Sequence, residues 1–287
     1  MTEKNLIWLA SYPKSGNTWF RVFLTNLLNK NEKPASINDL LDTTIASSRQ
    51  MFDEATGLSA SDLTKEEIEE LRPDVYRYVS KNATERSFHK IHDALIYTHN
   101  EEPIVPADVS LGAIYFIRNP LDLVISFSNH TGDSIDEMIG LMNKREYSFC
   151  AKTDKLYNQL EQKLLSWSMH LKSWIDQDII PVCLMKYEDM QTNTLSTFKQ
   201  AIDFAGIKAS DEEILLALEL SKLEELQKQE AEAGFRERSP QSRKFFKRGG
   251  LGAWKQELSN EQVKMIIGDH FDMMLRMGYI NEQGIPI

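Results

Sequence analysis

Cysteine is scarce in this chain: only Cys150 and Cys183 occur among 287 residues. Two thiols cannot build a disulfide framework. Both sit in apolar surroundings, Ser148-Phe149-Cys150 and Pro181-Val182-Cys183-Leu184, and read as buried, inert thiols. Long apolar runs are missing too. Nothing approaches the roughly 18 residues of a membrane span. The opening Met1 to Asn5 leads into five apolar residues, Leu6 to Ala10, too few for the apolar part of a secretory leader. These absences set the expectation of a reducing cytoplasm and no membrane span. Net positive charge is also lacking: 33 basic against 43 acidic side chains leave a formal charge of −10. That excludes a broad basic surface for coating nucleic acid but leaves room for one local basic site. What is present is ordinary for a globular chain, 41% hydrophobic and 26% charged. The length allows one large domain or two small ones, with a core that needs no staples.

Leu6-Ile-Trp-Leu-Ala10 is an unbroken apolar run closed by Ser11-Tyr12-Pro13, the pattern of a strand buried on both faces. Asn17 or Thr18 then caps a helix whose Trp19, Val22, Phe23 and Leu27 recur at helical spacing. The unit returns at Leu111 to Ile117, broken by Arg118-Asn119-Pro120 and followed by a helix from Leu121. A third run covers Ile179 to Met185 and a weaker strand covers Ser87 to Ile91. Leu156, Leu160, Leu164, Trp167, Leu171 and Trp174 read as one long helical stripe. Further helices are expected near Lys65 to Leu71, Leu195 to Phe204, Ile214 to Leu220 and Glu261 to Met277. Strands alternating with helices predict an α/β fold, a central parallel sheet flanked by helices, in one domain over residues 1–287. The irregular segments 31–86, 128–165 and 228–253 are expected to form acceptor-site or lid loops.

Open α/β sheets bind ligands at the carboxyl ends of their strands. The loop Ser11-Tyr-Pro-Lys-Ser-Gly-Asn-Thr-Trp19 falls there. Gly16 permits positive φ or close approach. The next helix offers unpaired N–H groups and a positive dipole end. Ser15, Asn17 and Thr18 add donors, and Lys14 adds a charge. This is phosphate-loop chemistry without a Walker A motif, because the lysine precedes the glycine.

Tyr12-Pro-Lys-Ser-Gly-Asn-Thr-Trp19 resembles the 5′-phosphosulfate loop of the cytosolic-type sulfotransferases, which use 3′-phosphoadenosine 5′-phosphosulfate (PAPS). Only Asn17 departs from the family pattern, and it remains a donor. The resemblance implies that Lys14 contacts the transferring sulfuryl group, that Ser15, Gly16, Asn17 and Thr18 hold the 5′-phosphate, and that Trp19 stacks on adenine. Trp19 also fits a core aromatic on an amphipathic helix. Arg118-Asn-Pro-Leu-Asp-Leu-Val-Ile-Ser126 is similar to the family's 3′-phosphate motif, which assigns Arg118 and Ser126 to that phosphate. The bland alternative for Arg118 is a salt bridge to Asp122. Phe246-Lys-Arg-Gly-Gly-Leu-Gly-Ala-Trp-Lys255 resembles a third family segment, with its first two basic positions swapped and its Asp replaced by Ala253. By resemblance Lys247, Arg248 and Gly249 join the 3′-phosphate site. From Gly234 to Lys255 there are seven basic residues and one acidic one, Glu237, a net of +6. An anionic ligand accounts for this better than a solvated face or a nucleic-acid patch. Tyr187 and Ser221 occupy the family's adenine-contact positions.

Sulfuryl transfer to a hydroxyl needs positioning, charge stabilisation and a base. Of six histidines, His92 stands in Phe88-His-Lys-Ile-His-Asp93, similar to the family's Lys-Thr-His segment, which implies His92 as base with Lys90 beside the sulfuryl group. His89 is the competitor, expected to point to the other face. His170 and His270 have ordinary structural readings. The implied co-substrate is PAPS and the partner a small-molecule acceptor. No metal is required, and no metal-ligand spacing is visible. Phe52, Tyr76, Tyr78, Phe127, Met138, Met142, Tyr147, Phe149 and Phe235 offer partly apolar acceptor walls. The rival readings are a P-loop nucleotide kinase or NTPase, which would need ATP and magnesium, and a non-catalytic nucleotide or RNA binder, which would tolerate loss of His92. Oligomeric state stays open, because Asn260 and Lys264 depart from the family's pairing segment.

Overall fold

The computed structural model describes residues 4–40, 44–152, 154–247 and 250–287. Four strands, β1 (Leu6–Ser11), β2 (Ser87–Ile91), β3 (Ser110–Ile117) and β6 (Val182–Lys186), form a parallel sheet in the order β2-β1-β3-β6, flanked by helices. Every residue of β1 is buried, as its unbroken apolar run requires. Leu6 to Ala10 pair in register with Ser87 to Ile91. Strand β6 starts later than the apolar run from Ile179. The Gln177 Oε1 accepts from the N–H groups of Ile179 and Ile180, which turns those residues out of the ladder.

Two compact units are distinguishable. The first comprises residues 1–12, 42–115 and 144–184. Its core holds Trp8, Phe52, Tyr76, Tyr115, Trp167 and Trp174, all buried. Trp8 Nε1 donates to Ser110 Oγ at 2.8 Å, which satisfies the one polar atom of that ring. Besides α2 (Arg49–Thr56), the unit contains α3 (Lys65–Asn82), opened by a Thr64–Glu67 capping box. Helix α3 runs eleven residues past the expected end at Leu71. It continues through Pro73, with Arg72, Val75 and Tyr76 buried along it.

The expected stripe from Leu156 to Trp174 is not one helix. Only α6 (Trp167–Ile175) is helical, started by Ser166, whose Oγ accepts from Met169 N. Upstream, β5 (Gln162–Lys163) pairs antiparallel with β4 (Ser148–Phe149). Leu160, Gln162, Leu164 and Ser166 are buried while the residues between them are not, and Leu156 is 71% exposed. A four-residue leucine spacing is a multiple of two, so it satisfies an extended chain as well as a helix.

The second unit comprises residues 13–41, 116–143 and 185–287. It contains α1 (Asn17–Leu28), α4 (Pro120–Thr131), α5 (Ile135–Asn143), α7 (Tyr187–Thr192), α8 (Thr194–Phe204), α9 (Asp211–Glu219), α10 (Leu223–Ala233), α11 (Trp254–Glu257) and α12 (Asn260–Arg276). Phe20, Phe23, Phe116 and Phe198 pack as an aromatic cluster with centroids 4.7–5.7 Å apart. A second cluster joins Val22, Ile37, Leu226, Phe235 and Phe246. Helices α5 and α10 were not evident from periodicity. Helix α5 falls within segment 128–165, and α10 begins before segment 228–253 and runs into it as far as Ala233. Among the described residues no helix is long and apolar enough to cross a membrane. Both cysteines are free. Cys183 is buried and its thiol is pushed up to about 11, while Cys150 is only partly buried.

Candidate active site

The phosphate-type loop lies in the second unit, and its cap differs from the expected one. Neither Asn17 nor Thr18 caps α1. Gly16 holds that position at φ 104°, with no side-chain cap hydrogen bond. Glycine is demanded twice here: by the positive φ, and because a Cβ would meet Tyr187 Cδ2 at 2.9 Å and Met190 Sδ at 3.3 Å. Gly16→Ala is expected to lower folding stability by about 2–4 kcal/mol, from left-handed strain plus overpacking, as read by denaturant titration. A wild-type midpoint would refute this local picture. Ser15 is 1% exposed, and its Oγ has no hydrogen-bond partner. Trp19 packs its edge against Tyr187 and Phe198, with Nε1 buried and also unpartnered. The Lys14 backbone takes φ 71°, and its Nζ lies 3.5 Å from the centroid of the Phe245 ring.

Arg118 leaves the end of β3 and is 6% exposed. Its guanidinium lies 4.4 Å from the Tyr187 ring centroid, and Nη1 reaches Lys14 O at 3.4 Å; Nε has no partner. The bland alternative of a pair with Asp122 is not what forms. The Asp122 carboxylate accepts from Gly252 N at 2.8 Å and Trp254 N at 3.0 Å, and so ties the glycine-rich segment to α4. Glu188 braces the Arg118 turn from the other side. Its Oε1 accepts from Asn119 N at 2.9 Å and its Oε2 from Tyr279 O–H at 3.1 Å. Burial raises the Glu188 carboxyl pKa, against these bonds and the Arg118 charge, which lower it. Ser126 lies half-buried on α4.

Lys247 donates to Asn129 Oδ1 at 2.7 Å, while Arg248 and Gly249 lie outside the described residues. The preceding stretch is pinned: Glu230 accepts from Phe245 N and Phe246 N, and Arg21 pairs with Glu237 at 2.7 Å. Phe235, Phe245 and Phe246 pack on one another rather than presenting open faces. Tyr187 begins α7 against Trp19 and Arg118. Ser221 is fully buried; its Oγ donates to Ala217 O and accepts from Asn26 Nδ2. Its hydroxyl therefore ties α9 to α1.

His92 lies in the first unit, one residue past β2. Its Nδ1 is 2.8 Å from Ser11 O. A carbonyl only accepts, so Nδ1 carries the proton and the lone pair of the neutral ring is on Nε2. His89 does face elsewhere: it is buried, bonded to Ser87 Oγ at 2.7 Å and packed by Trp8. Lys90 is half-buried on β2, its carbonyl accepting from Ala46 N. Of the expected acceptor walls, Phe52, Tyr76, Phe127, Met138, Met142 and Phe235 are core residues, and Tyr78 is 49% exposed. Tyr147 and Phe149 remain half-buried, in edge contact at 5.8 Å.

His170 and His270 are buried, and burial holds both down to about 4. Their folded pKa values lie below the unfolded value near 6.5, so the native state binds fewer protons in that window. Their contribution is present above about pH 6.5 and is lost as pH falls toward 4. At pH 5 each shift costs about 2 kcal/mol. Denaturant titrations are expected to show about 4 kcal/mol less stability at pH 5 than at pH 7.5, and about half that loss in His270→Gln. A flat profile over that range would contradict the buried neutral assignments.

Fold and site together define an α/β protein with a glycine-capped strand–loop–helix turn and a buried arginine at the end of a second strand. The family model described as a sulfotransferase domain matches residues 4–272, and the chain belongs to that family. It is 24% identical to a flavonol 3-sulfotransferase of Flaveria bidentis, over 91% of this chain and 79% of the relative. It is 25% identical to cytosolic sulfotransferase 7 of Arabidopsis thaliana, over 90% and 75%. Among solved structures, retinol dehydratase in complex with androsterone and the inactive cofactor PAP superposes with a TM-score of 0.62 at 18% identity, covering 94% of this chain and 80% of that one. A mouse sulfotransferase complexed with PAP gives 0.58 at 18% identity, covering 94% and 84%. The protein is accordingly an enzyme of the sulfotransferase class.

Proposed function

We propose that the protein transfers a sulfuryl group from PAPS to a hydroxyl of a small, partly apolar acceptor. The observation that carries this reading is a set of buried donors with no partner. Arg118 Nε and Ser15 Oγ are both enclosed and unbonded, beside an α1 N-terminus that no side chain caps. Buried donors without partners are costly, and a highly charged anion answers all of them at once. Lys14, Ser15, Gly16, Asn17, Thr18 and Trp19 would hold the 5′ end of the donor. Arg118 and Ser126, with Lys247, Arg248 and Gly249, would take the 3′-phosphate, and Tyr187 and Ser221 would lie toward adenine. PAPS supplies a sulfuryl group whose bond to the phosphate oxygen breaks as the acceptor oxygen bonds to sulfur. His92 Nε2 takes the acceptor proton, and Lys14 and Lys90 offset the negative charge. The half-buried Tyr147 and Phe149, and relatives that act on flavonols, support a partly apolar acceptor such as a phenol, alcohol, lipid or polyketide.

The deciding experiment incubates the enzyme with PAPS and an acceptor panel and looks for a product heavier by one sulfate. Calorimetry runs beside it with 3′,5′-diphosphoadenosine and with ATP plus magnesium. A sulfated product and preference for the diphosphate support the reading. Preference for magnesium-ATP would favour the NTPase alternative, and tight diphosphate binding without any product would favour a non-catalytic binder.

A further inference from the structure

Helix α6 makes three side-chain contacts to the backbone just past β2. His170 Nε2 donates to His92 O at 3.0 Å, Trp174 Nε1 donates to Asp93 O at 3.1 Å, and Ser173 Oγ accepts from Leu95 N at 3.0 Å. His170 and Trp174 are four residues apart and so share one face of the helix. Both are fully buried. The second nitrogen of His170 is committed as well: Tyr115 O–H stands 2.8 Å from Nδ1. Since Nε2–H points at a carbonyl, Nδ1 must accept, and Tyr115 donates to it. Tyr12 closes the ring from its edge, with centroids 5.3 Å apart. Asp93 is fixed independently. Its carboxylate takes two bonds from Arg72, at 2.9 and 2.8 Å, and one from Lys163 N at 3.1 Å.

A buried histidine in a merely structural role needs a partner for each nitrogen, and any pair serves. Here one partner is the carbonyl of the residue whose ring is the base, and the next carbonyl is gripped one helical turn further on. The His92 ring is tied at Nδ1 to Ser11 O, and its backbone is tied at the carbonyl to His170. Two ties, one on each side of Cα, leave a single direction for Nε2. With the carbonyl released, the backbone at His92 loses its hold on that side, and the ring can shift with Cα.

We propose that His170, whose Nε2–H faces the His92 carbonyl while Tyr115 holds its Nδ1, is a positioning residue for sulfuryl transfer that fixes His92 through its backbone carbonyl. The proposal rests on the reading of His92 as base. Misdirecting a catalytic group by about an ångström costs up to about 100-fold. His170→Phe is therefore expected to lower kcat about 10–30-fold, with KM for PAPS and the affinity for 3′,5′-diphosphoadenosine within about twofold of wild type. His170→Gln, whose amide nitrogen replaces Nε2–H, recovers most of that loss. In a His92→Ala background, His170→Phe costs nothing further.

Unchanged kcat in His170→Phe, beside an inactive His92→Ala, overturns the proposal and leaves the base reading standing. Normal turnover in His92→Ala overturns the base reading itself. An equal further loss in the double variant shows general damage and also overturns the proposal. Should His170→Phe fail to fold, Tyr115→Phe removes only the hydroxyl that holds the His170 ring at Nδ1. It is expected to lower kcat several-fold with the same unchanged KM, and an unchanged kcat there counts against the proposal.

Discussion

His92→Ala is expected to reduce kcat by about 10²–10⁴-fold, the usual worth of a positioned general base, while 3′,5′-diphosphoadenosine binds within about twofold of wild type. The ring is prepared for that role before any ligand arrives. Its Nδ1–H is held by Ser11 O, so proton acceptance falls to Nε2. The loss should depend on the acceptor. A phenol acidic enough to be largely ionised at the assay pH needs no base and is expected to lose far less than an aliphatic alcohol. Matched kcat measurements on such a pair test the role more sharply than activity alone. An equal loss on both acceptors would assign His92 to substrate placement, and near-normal turnover on the alcohol would remove it from the chemistry.

The strands were legible because runs such as Leu6 to Ala10 and Leu111 to Ile117 have one physical outcome. Apolar on both faces and too short for a helix of useful length, they belong inside a covered sheet. The phosphate loop was legible for a related reason: a lone glycine between such a strand and an amphipathic helix sets the chemistry locally. The cap itself was misassigned, because a hydroxyl or amide next to the glycine is an equally good local candidate. Only the approach of Tyr187 and Met190 shows why Gly16 holds the position. The stripe from Leu156 fails where one spacing satisfies two periods, and α3 runs past the expected Leu71 because local pattern carries no information about the burial of Arg72, Val75 and Tyr76. His170 and Asp122 illustrate a different limit. Each has an unremarkable local sequence, and each acquires its role from partners far along the chain: His92 and Tyr115 for the former, Gly252 and Trp254 for the latter. A single sequence gives the side chain but not the atoms that will meet it.

Arg118→Met is expected to weaken 3′,5′-diphosphoadenosine binding by about 100-fold or more. Two charge-assisted hydrogen bonds to a phosphate contribute about 3 kcal/mol or more together, and each tenfold in affinity is about 1.4 kcal/mol. Adenosine 5′-phosphate, which lacks the 3′-phosphate, is expected to bind the variant and the wild type alike. The difference between the two nucleotides is therefore the measurement, by calorimetry, and an equal loss for both would move Arg118 out of the 3′-phosphate site. Arg118→Lys should not restore binding, because a point charge lacks the planar fork that meets two phosphate oxygens. The free protein gives an opposite sign. Arg118 is enclosed, its Nε is unbonded, and its guanidinium meets the Tyr187 ring and makes one long bond to Lys14 O. Among the described residues no carboxylate forms an ion pair with Arg118, and only the Glu188 carboxyl feels its charge, so removing it relieves a desolvation cost that no close pair offsets. Without ligand, the methionine variant should therefore melt no lower than wild type, and with saturating 3′,5′-diphosphoadenosine it should melt lower. A side chain retained for packing would show the reverse order in the free protein. One retained for the ligand makes folding harder and binding stronger, and the pair of melting curves separates the two.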